Sequence, residues 1–225
     1  MTAASLPSDP ASAGGVPILH LDDACVVVDK PAGLLSVPGR GPDKQDCAAL
    51  RVQARVPDAL VVHRLDMATS GLWLMARGAA MQRAFSRAFE QREADKRYVA
   101  VVAGRVAEPD TQDGWGEIDL PLAADWPRRP LQKVDAEHGR PSRTRWRVLA
   151  HEGDTTRLEL APLTGRSHQL RVHLLALGHP ILGDALYAPP EVQARAPRLL
   201  LHARELRFTH PVTGEAMVLS HPEPF

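Results

Sequence analysis

Residues 142–162, SRTRWRVLAHEGDTTRLELAP, restrict the fold more than any other stretch of this chain. From Arg143 to Arg147 charged and uncharged side chains alternate, and successive side chains of a strand point to opposite faces. The alternation predicts a strand with Arg143, Arg145 and Arg147 on one face and Thr144, Trp146 and Val148 on the other. TTRLELAPL follows across the short EGD turn, and two extended segments joined by a short glycine-containing loop form a hairpin.

The remaining periodicities mix helix with strand. Residues 24–29 are an apolar strand stopped by Pro31 and Gly33, and LVV at 60–62 and GLWLMAR at 71–77 are two more. YVAVVAGRV and GWGEIDLPL add strands, and RLLLHARELRFTHP with AMVLSHP forms a last hairpin. Residues 45–55 and 79–92 have a helical period, the second with Met81, Ala84, Phe85, Ala88 and Phe89 on one core-facing stripe. SHQLRVHLLALG is a helix closed by Gly178. The order lacks βαβ repetition, an internal repeat or a Pro-Gly or Ser-rich linker. It implies a single α+β domain at 16–225, a large mixed and mostly antiparallel sheet flanked by helices and loops. The Ala, Ser, Pro and Gly of residues 1–15 imply a disordered tail.

Several function classes drop out. No apolar run approaches the roughly 18 residues that cross a bilayer, and the N-terminus lacks the basic and apolar regions of a secretory signal. Cys25 and Cys47, the only cysteines, lack disulfide or metal-type spacing, so the expected compartment is the reducing cytoplasm. His168 and His173 are five apart and no His-Glu-x-x-His occurs, so no metal is expected. GRGPDK lacks the ending of a P-loop, which argues against a nucleotide cofactor, and there is no Gly-x-Ser-x-Gly elbow. Net charge is zero, yet residues 126–147 carry Arg128, Arg129, Lys133, Arg140, Arg143, Arg145 and Arg147 against only Asp135 and Glu137. A neutral chain can thus own a basic surface.

Two polar clusters have the makings of chemistry. HRLDMATSG, residues 63–71, puts Asp66 in a turn between apolar strands, either as a turn-former or as a reagent. Arg166 in LTGRSHQLRVH follows a glycine turn at a helix start, where it either holds a carboxylate ionised or is a solvated charge.

Taken in order, DKPAGLLSVPG (29–39), HRLDMATSG (63–71), KRYVAVVAG (96–104), LTGRSHQLRVHLLALGHPILGDALY (163–187) and RLLLHA (198–203) resemble the RluA family of pseudouridine synthases over most of the chain. The resemblance implies a cofactor-free isomerase that converts uridine in RNA to its C-glycoside isomer. It implies Asp66 as the catalytic aspartate at the ribose, Tyr98 stacked on the uracil with its hydroxyl near C5, and Arg166 paired with Asp66. Leu201 would form part of the apolar wall, and Arg64, with His63 beside it, would meet the target as it leaves its stack. Arg128, Arg129, Lys133, Arg143, Arg145 and Arg147 would contact phosphates. DWPRRPLQKV and Met67 are similar to a branch of the family that acts on both transfer RNA and large-subunit ribosomal RNA. The expected partners are therefore a tRNA anticodon stem-loop and a 23S rRNA hairpin, met by a cytoplasmic monomer with no S4-type RNA-binding domain and no membrane contact. A related branch with a different tRNA target, and a non-catalytic RNA-binding or assembly factor on the same fold, stay open.

Overall fold

The computed structural model describes residues 15–225, so of the expected tail only Gly15 falls within it. The described residues form twelve strands: β1 (Ile18–Leu21), β2 (Cys25–Lys30), β3 (Ala59–Val61), β4 (Ser70–Arg77), β5 (Asp95–Ala103), β6 (Gly116–Asp119), β7 (Leu122–Ala124), β8 (Gln132–Val134), β9 (Arg143–Glu152), β10 (Thr155–Pro162), β11 (Leu201–Thr209) and β12 (Ala216–Ser220). Four helices accompany them: α1 (Ala48–Gln53), α2 (Gly78–Glu90), α3 (Gln169–Ala176) and α4 (Pro190–Gln193). Ten strands make one sheet in the order β1-β2-β4-β11-β5-β10-β9-β6, with β3 beside β4 and β12 beside β11, while β7 and β8 pair by themselves. The expected α+β domain with a large mixed sheet is what forms.

Every pairing in the large sheet is antiparallel except one. β4 and β11 run parallel through two residue pairs only, Ser70 with His202 and Gly71 with Ala203. Beyond that point the strands separate, and β3 takes the free edge of β4 at Ala59–Val61 while β12 takes that of β11 from Glu205 onward. The contact needs a glycine. A Cβ on Gly71 would sit 2.4 Å from the Ala203 carbonyl oxygen, and its φ of +108° lies where side chains are rarely accommodated.

Alternation along the strands separates two apolar clusters, one on each face. Tyr98, Leu158, Leu160, Trp146, Trp73, Met75 and Leu201 share a face with Val52 of α1 and Leu170 and Leu174 of α3. Leu72, Leu74, Leu206 and Phe208 face the other way, toward α2. The predicted stripe of α2 packs there: Phe85 is buried edge-on against Phe208 at 5.4 Å, with Met81 and Phe89 partly covered beside it. The predicted faces of β9 also form, with Thr144 and Trp146 buried and Arg147 exposed. A register shift between Arg157 and Leu158 leaves Leu149 unpaired and ends that alternation.

Cys25 and Cys47 are buried and unbridged. Among the described residues no helix is long and apolar enough to cross a membrane.

Candidate active site

Asp66 sits on the connection between β3 and β4, and this loop is tied down at almost every residue. Ser36 donates its hydroxyl to the Leu65 carbonyl at 2.7 Å and accepts the Leu65 N–H at 3.1 Å. The Gly33 N–H reaches the Met67 carbonyl at 2.8 Å, and the Thr69 N–H returns to the Asp66 carbonyl at 3.1 Å. Lys30, fully buried, spends its ammonium on three carbonyls: Pro31 at 2.8 Å, Leu34 at 2.8 Å and Met67 at 3.2 Å. Burial lowers its pKa to about 8, with the charge of Asp66 pulling the other way. The DKPAGLLS stretch is thus the platform under the Asp66 turn.

His63 anchors the other end. Its carbonyl accepts the Trp73 indole N–H at 2.9 Å, its Nε2 accepts the Leu74 N–H at 3.2 Å, and its ring stacks on Phe89 at 4.5 Å. Because Nε2 accepts, the ring is neutral, and burial next to Lys96 pushes its pKa down to about 3. His63 borders the cleft described below, but its ring is committed to holding the loop.

The cation beside Asp66 is Arg171, which corrects the expected Arg166 pair. Arg171 Nη1 lies 3.9 Å from Asp66 Oδ2, while Nε and Nη2 grip Asp184 at 2.8 and 2.5 Å. Asp184 is itself fixed by the N–H groups of Leu186 at 2.9 Å and Tyr187 at 3.2 Å. Arg166 instead donates to the Pro141 carbonyl at 3.2 Å from a half-buried position. The reason is helix phase. Arg166 precedes α3 in a turn pinned by Gln169, whereas Arg171 lies one turn inside α3, where residues 169–174 are all buried.

A cleft of about 1620 Å³ opens around this turn, lined by His63, Arg64, Asp66, Lys96, Arg166, His168 and Arg171 among others. Seven Lys or Arg line it (Lys44, Arg64, Arg92, Lys96, Arg166, Arg171, Arg198) against three carboxylates, Asp66, Glu90 and Asp95. The cleft therefore attracts anions although the chain has no net charge. Tyr98 lies in β5 beneath it, 8% exposed, opposite Leu160 and Ala203 and in the same apolar cluster as Leu201. Burial, reinforced by the charge of Asp66, raises its phenol, which stays protonated at neutral pH.

Other expected contacts lie farther off. Arg143 and Arg145 stand on the sheet face opposite Tyr98, since Leu160 pairs with both Trp146 and Tyr98 and side chains alternate. Each is neutralised there: Arg143 by Glu117 at 2.6 Å, Arg145 by Asp113, and Arg147 likewise by Glu159 at 2.5 Å. The alternation read from sequence was right, but it does not say which face the cleft occupies. Arg128, Arg129 and Lys133 belong to the β7–β8 hairpin, whose turn also carries an exposed Trp126 under the Arg129 guanidinium at 4.4 Å. Pro130 of that turn reaches the cleft wall.

Among the described residues one group gathers metal-type donors, His20, Asp22 and Cys25 at the β1–β2 turn. Asp22 is occupied there: Oδ1 accepts the N–H groups of Ala24 and Cys25, and Oδ2 faces His20 at 2.6 Å and His210 at 3.3 Å.

Residues 24–176 match the family described as RNA pseudouridylate synthase. The chain belongs to the RNA pseudouridylate synthase family. The match takes in Lys30, Asp66, Tyr98 and Arg171. Relatives within the family extend the likeness to nearly full length. The dual-specificity RNA pseudouridine synthase RluA of Escherichia coli (strain K12) is 52% identical over 92% of this chain and 93% of its own. The protein of the same name from Pasteurella multocida (strain Pm70) is 49% identical over 97% of this chain and 96% of its own. Among solved structures, human RNA pseudouridylate synthase domain containing 1 superposes with a TM-score of 0.76 at 30% identity, covering 96% of this chain and 87% of that one. A pseudouridylate synthase converts uridine in RNA to pseudouridine, and an anion-attracting cleft around one rigidly held carboxylate suits that substrate.

Proposed function

We propose that this chain isomerises uridines in two kinds of RNA, a tRNA anticodon stem-loop and a hairpin of large-subunit rRNA, with Asp66 as the catalytic carboxylate. The observation that carries this reading is Asp66 fixed at the cleft with Arg171 Nη1 3.9 Å away. The guanidinium sets a positive charge beside the carboxylate where it faces the cleft.

The reaction breaks the N1 to C1′ bond, turns the uracil and joins C5 to C1′; C5 loses a proton and N1 gains one, so no atom is gained or lost overall. A carboxylate near the ribose serves either attack on the anomeric carbon or removal of a ribose proton. The base must first leave its stack, which costs a few kcal/mol and least in loops. In this reading Arg64 stands at the vacated position, and Tyr98, kept as a neutral phenol, contributes a ring and a hydroxyl rather than a phenolate base. Stacking on an aromatic ring, worth roughly 1–3 kcal/mol, tolerates rotation of a flat base. Leu201 closes the apolar side. Lys44, Arg92 and Arg166 around the cleft take the phosphates, joined on the hairpin by Arg129 and, once they exchange Asp125 and Asp135 for RNA, by Arg128 and Lys133; one copy of the chain suffices.

Dual targeting follows the names of the relatives at about half identity, and it has a direct test. Deleting the gene and mapping pseudouridine across cellular RNA should remove one tRNA anticodon-loop site and one rRNA site. Loss confined to one RNA class contradicts the dual reading, and retention of every site contradicts the enzymatic one in favour of an RNA-binding factor.

A further inference from the structure

The β7–β8 hairpin and the Asp66 carboxylate are joined through one side chain, Tyr187. Its hydroxyl accepts the N–H of Gln132, the first residue of β8, at 2.9 Å. The same oxygen meets His168 Nδ1 at 2.5 Å. The one hydroxyl thus joins the hairpin backbone to the imidazole of the cleft. Burial lowers the pKa of His168 and pushes the Tyr187 phenol up to about 12. On its other side the Tyr187 ring lies against the Arg171 guanidinium, 4.9 Å from ring centre to Cζ.

Gln132 directly follows the turn that carries Trp126 and Arg129, a turn closed by Asp125 N–H to the Leu131 carbonyl at 2.9 Å. The base of the hairpin is held separately, by Leu122 pairing with Arg140 and by His173 on the Leu120 carbonyl at 3.0 Å. Neither of those ties touches Asp66. Tyr187 does reach it, through the Arg171 guanidinium on which its ring lies.

We infer that Tyr187 is a positioning residue: it sets Arg171 against Asp66 in response to where the hairpin turn sits, so that RNA seated on Trp126 and Arg129 aligns the carboxylate for the reaction. The inference rests on the synthase reading. It also says why an exposed aromatic 66% accessible is placed on so short a ribbon. Coupling of this kind is an energy between two sites, which a double-mutant cycle reads directly.

The experiment is a double-mutant cycle on RNA tritiated at uracil C5, reading affinity and single-turnover release. Tyr187→Phe keeps the ring beneath Arg171 and deletes only the hydroxyl. It should slow release at saturating RNA by about tenfold, the net size expected from losing the contacts to Gln132 and His168, with affinity changed less than about threefold. Trp126→Ala should weaken binding and also slow release, and in the Tyr187→Phe background it should slow release no further. Replacing Tyr187 with 3-fluorotyrosine, which retains the hydroxyl, should keep the parent rate. Parent rate in Tyr187→Phe, effects that simply multiply, or a Trp126→Ala protein with parent affinity and rate would each overturn the inference while leaving the synthase reading intact. No release from the unaltered protein would overturn both.

Discussion

Arg171 faces two carboxylates at once, clamped in a fork on Asp184 and placed 3.9 Å from Asp66 through its remaining nitrogen. Only a planar guanidinium does both, because an ammonium offers a point charge without the fork. Arg171→Lys should therefore keep the charge and lose the alignment. We expect single-turnover isomerisation to fall about a hundredfold, the size associated with misplacing a reacting group by about 1 Å. Arg166→Gln should weaken RNA binding and leave the saturated rate within about threefold. Equal rate losses in the two variants would put the functional cation elsewhere.

The neutral state of His63 predicts an acid-sensitive fold. Its folded pKa of about 3 lies below the ordinary 6.5, so between those values the unfolded chain binds a proton that the native one does not. The stability it contributes is complete above 6.5 and is lost as pH falls toward 3, by at most ~1.4 kcal/mol per pH unit. His63→Gln, whose amide oxygen can still accept the Leu74 N–H, should flatten that part of the profile. Urea denaturation at neutral pH and near pH 5 measures it; identical slopes for parent and variant would contradict a buried neutral ring.

Gly71 predicts a local cost far above that of an ordinary turn glycine. Gly71→Ala forces a methyl against the Ala203 backbone at the sole parallel contact of the sheet, and should destabilise by about 3 kcal/mol. Gly153→Ala is the control: its φ is +62° but nothing lies within 4 Å of the added carbon, so only about 1 kcal/mol of backbone strain is expected. Comparable losses in the two would mean that conformation rather than strand approach requires Gly71.

Strong periodicities made most of this fold legible in advance. The stripe of α2 and the faces of β9 were read because packing follows residue spacing there. β7 and β8 are three residues each and α4 is four, too short to show a period, and the turn between β7 and β8 is crowded with proline. Asp66 and Tyr98 stand out through ordered motifs, not local chemistry. The misassigned cation shows where motifs run out: TGR and QLR are both arginines of one stretch, and only the start of α3 at Gln169 decides which points inward. Lys30 is legible in the same way, a lysine amid CVVVDKPAGLL with apolar residues on both sides, which marks a charge that must be satisfied internally.

The basic strand gives a contrast that needs no chemistry. Arg143 and Arg145 are already paired with acids on the far face, so replacing both with Gln should leave the salt dependence of RNA binding unchanged. Lys44 and Arg92 line the cleft, and each replacement by Gln should reduce the slope by about 0.7 to 0.9. Binding titrations across salt concentrations distinguish the two surfaces, and a slope lowered by the strand variants would move the RNA to the other side of the sheet.

The central claim is that Asp66 performs the isomerisation, and Asp66→Asn tests it with a side chain of equal size and no charge. The measurement is release of tritium from C5-labelled stem-loop RNA, without added metal or nucleotide. Steady release is expected from the parent and none from Asp66→Asn, with RNA affinity and thermal unfolding close to the parent. Release by Asp66→Asn at near-parental rate would contradict it.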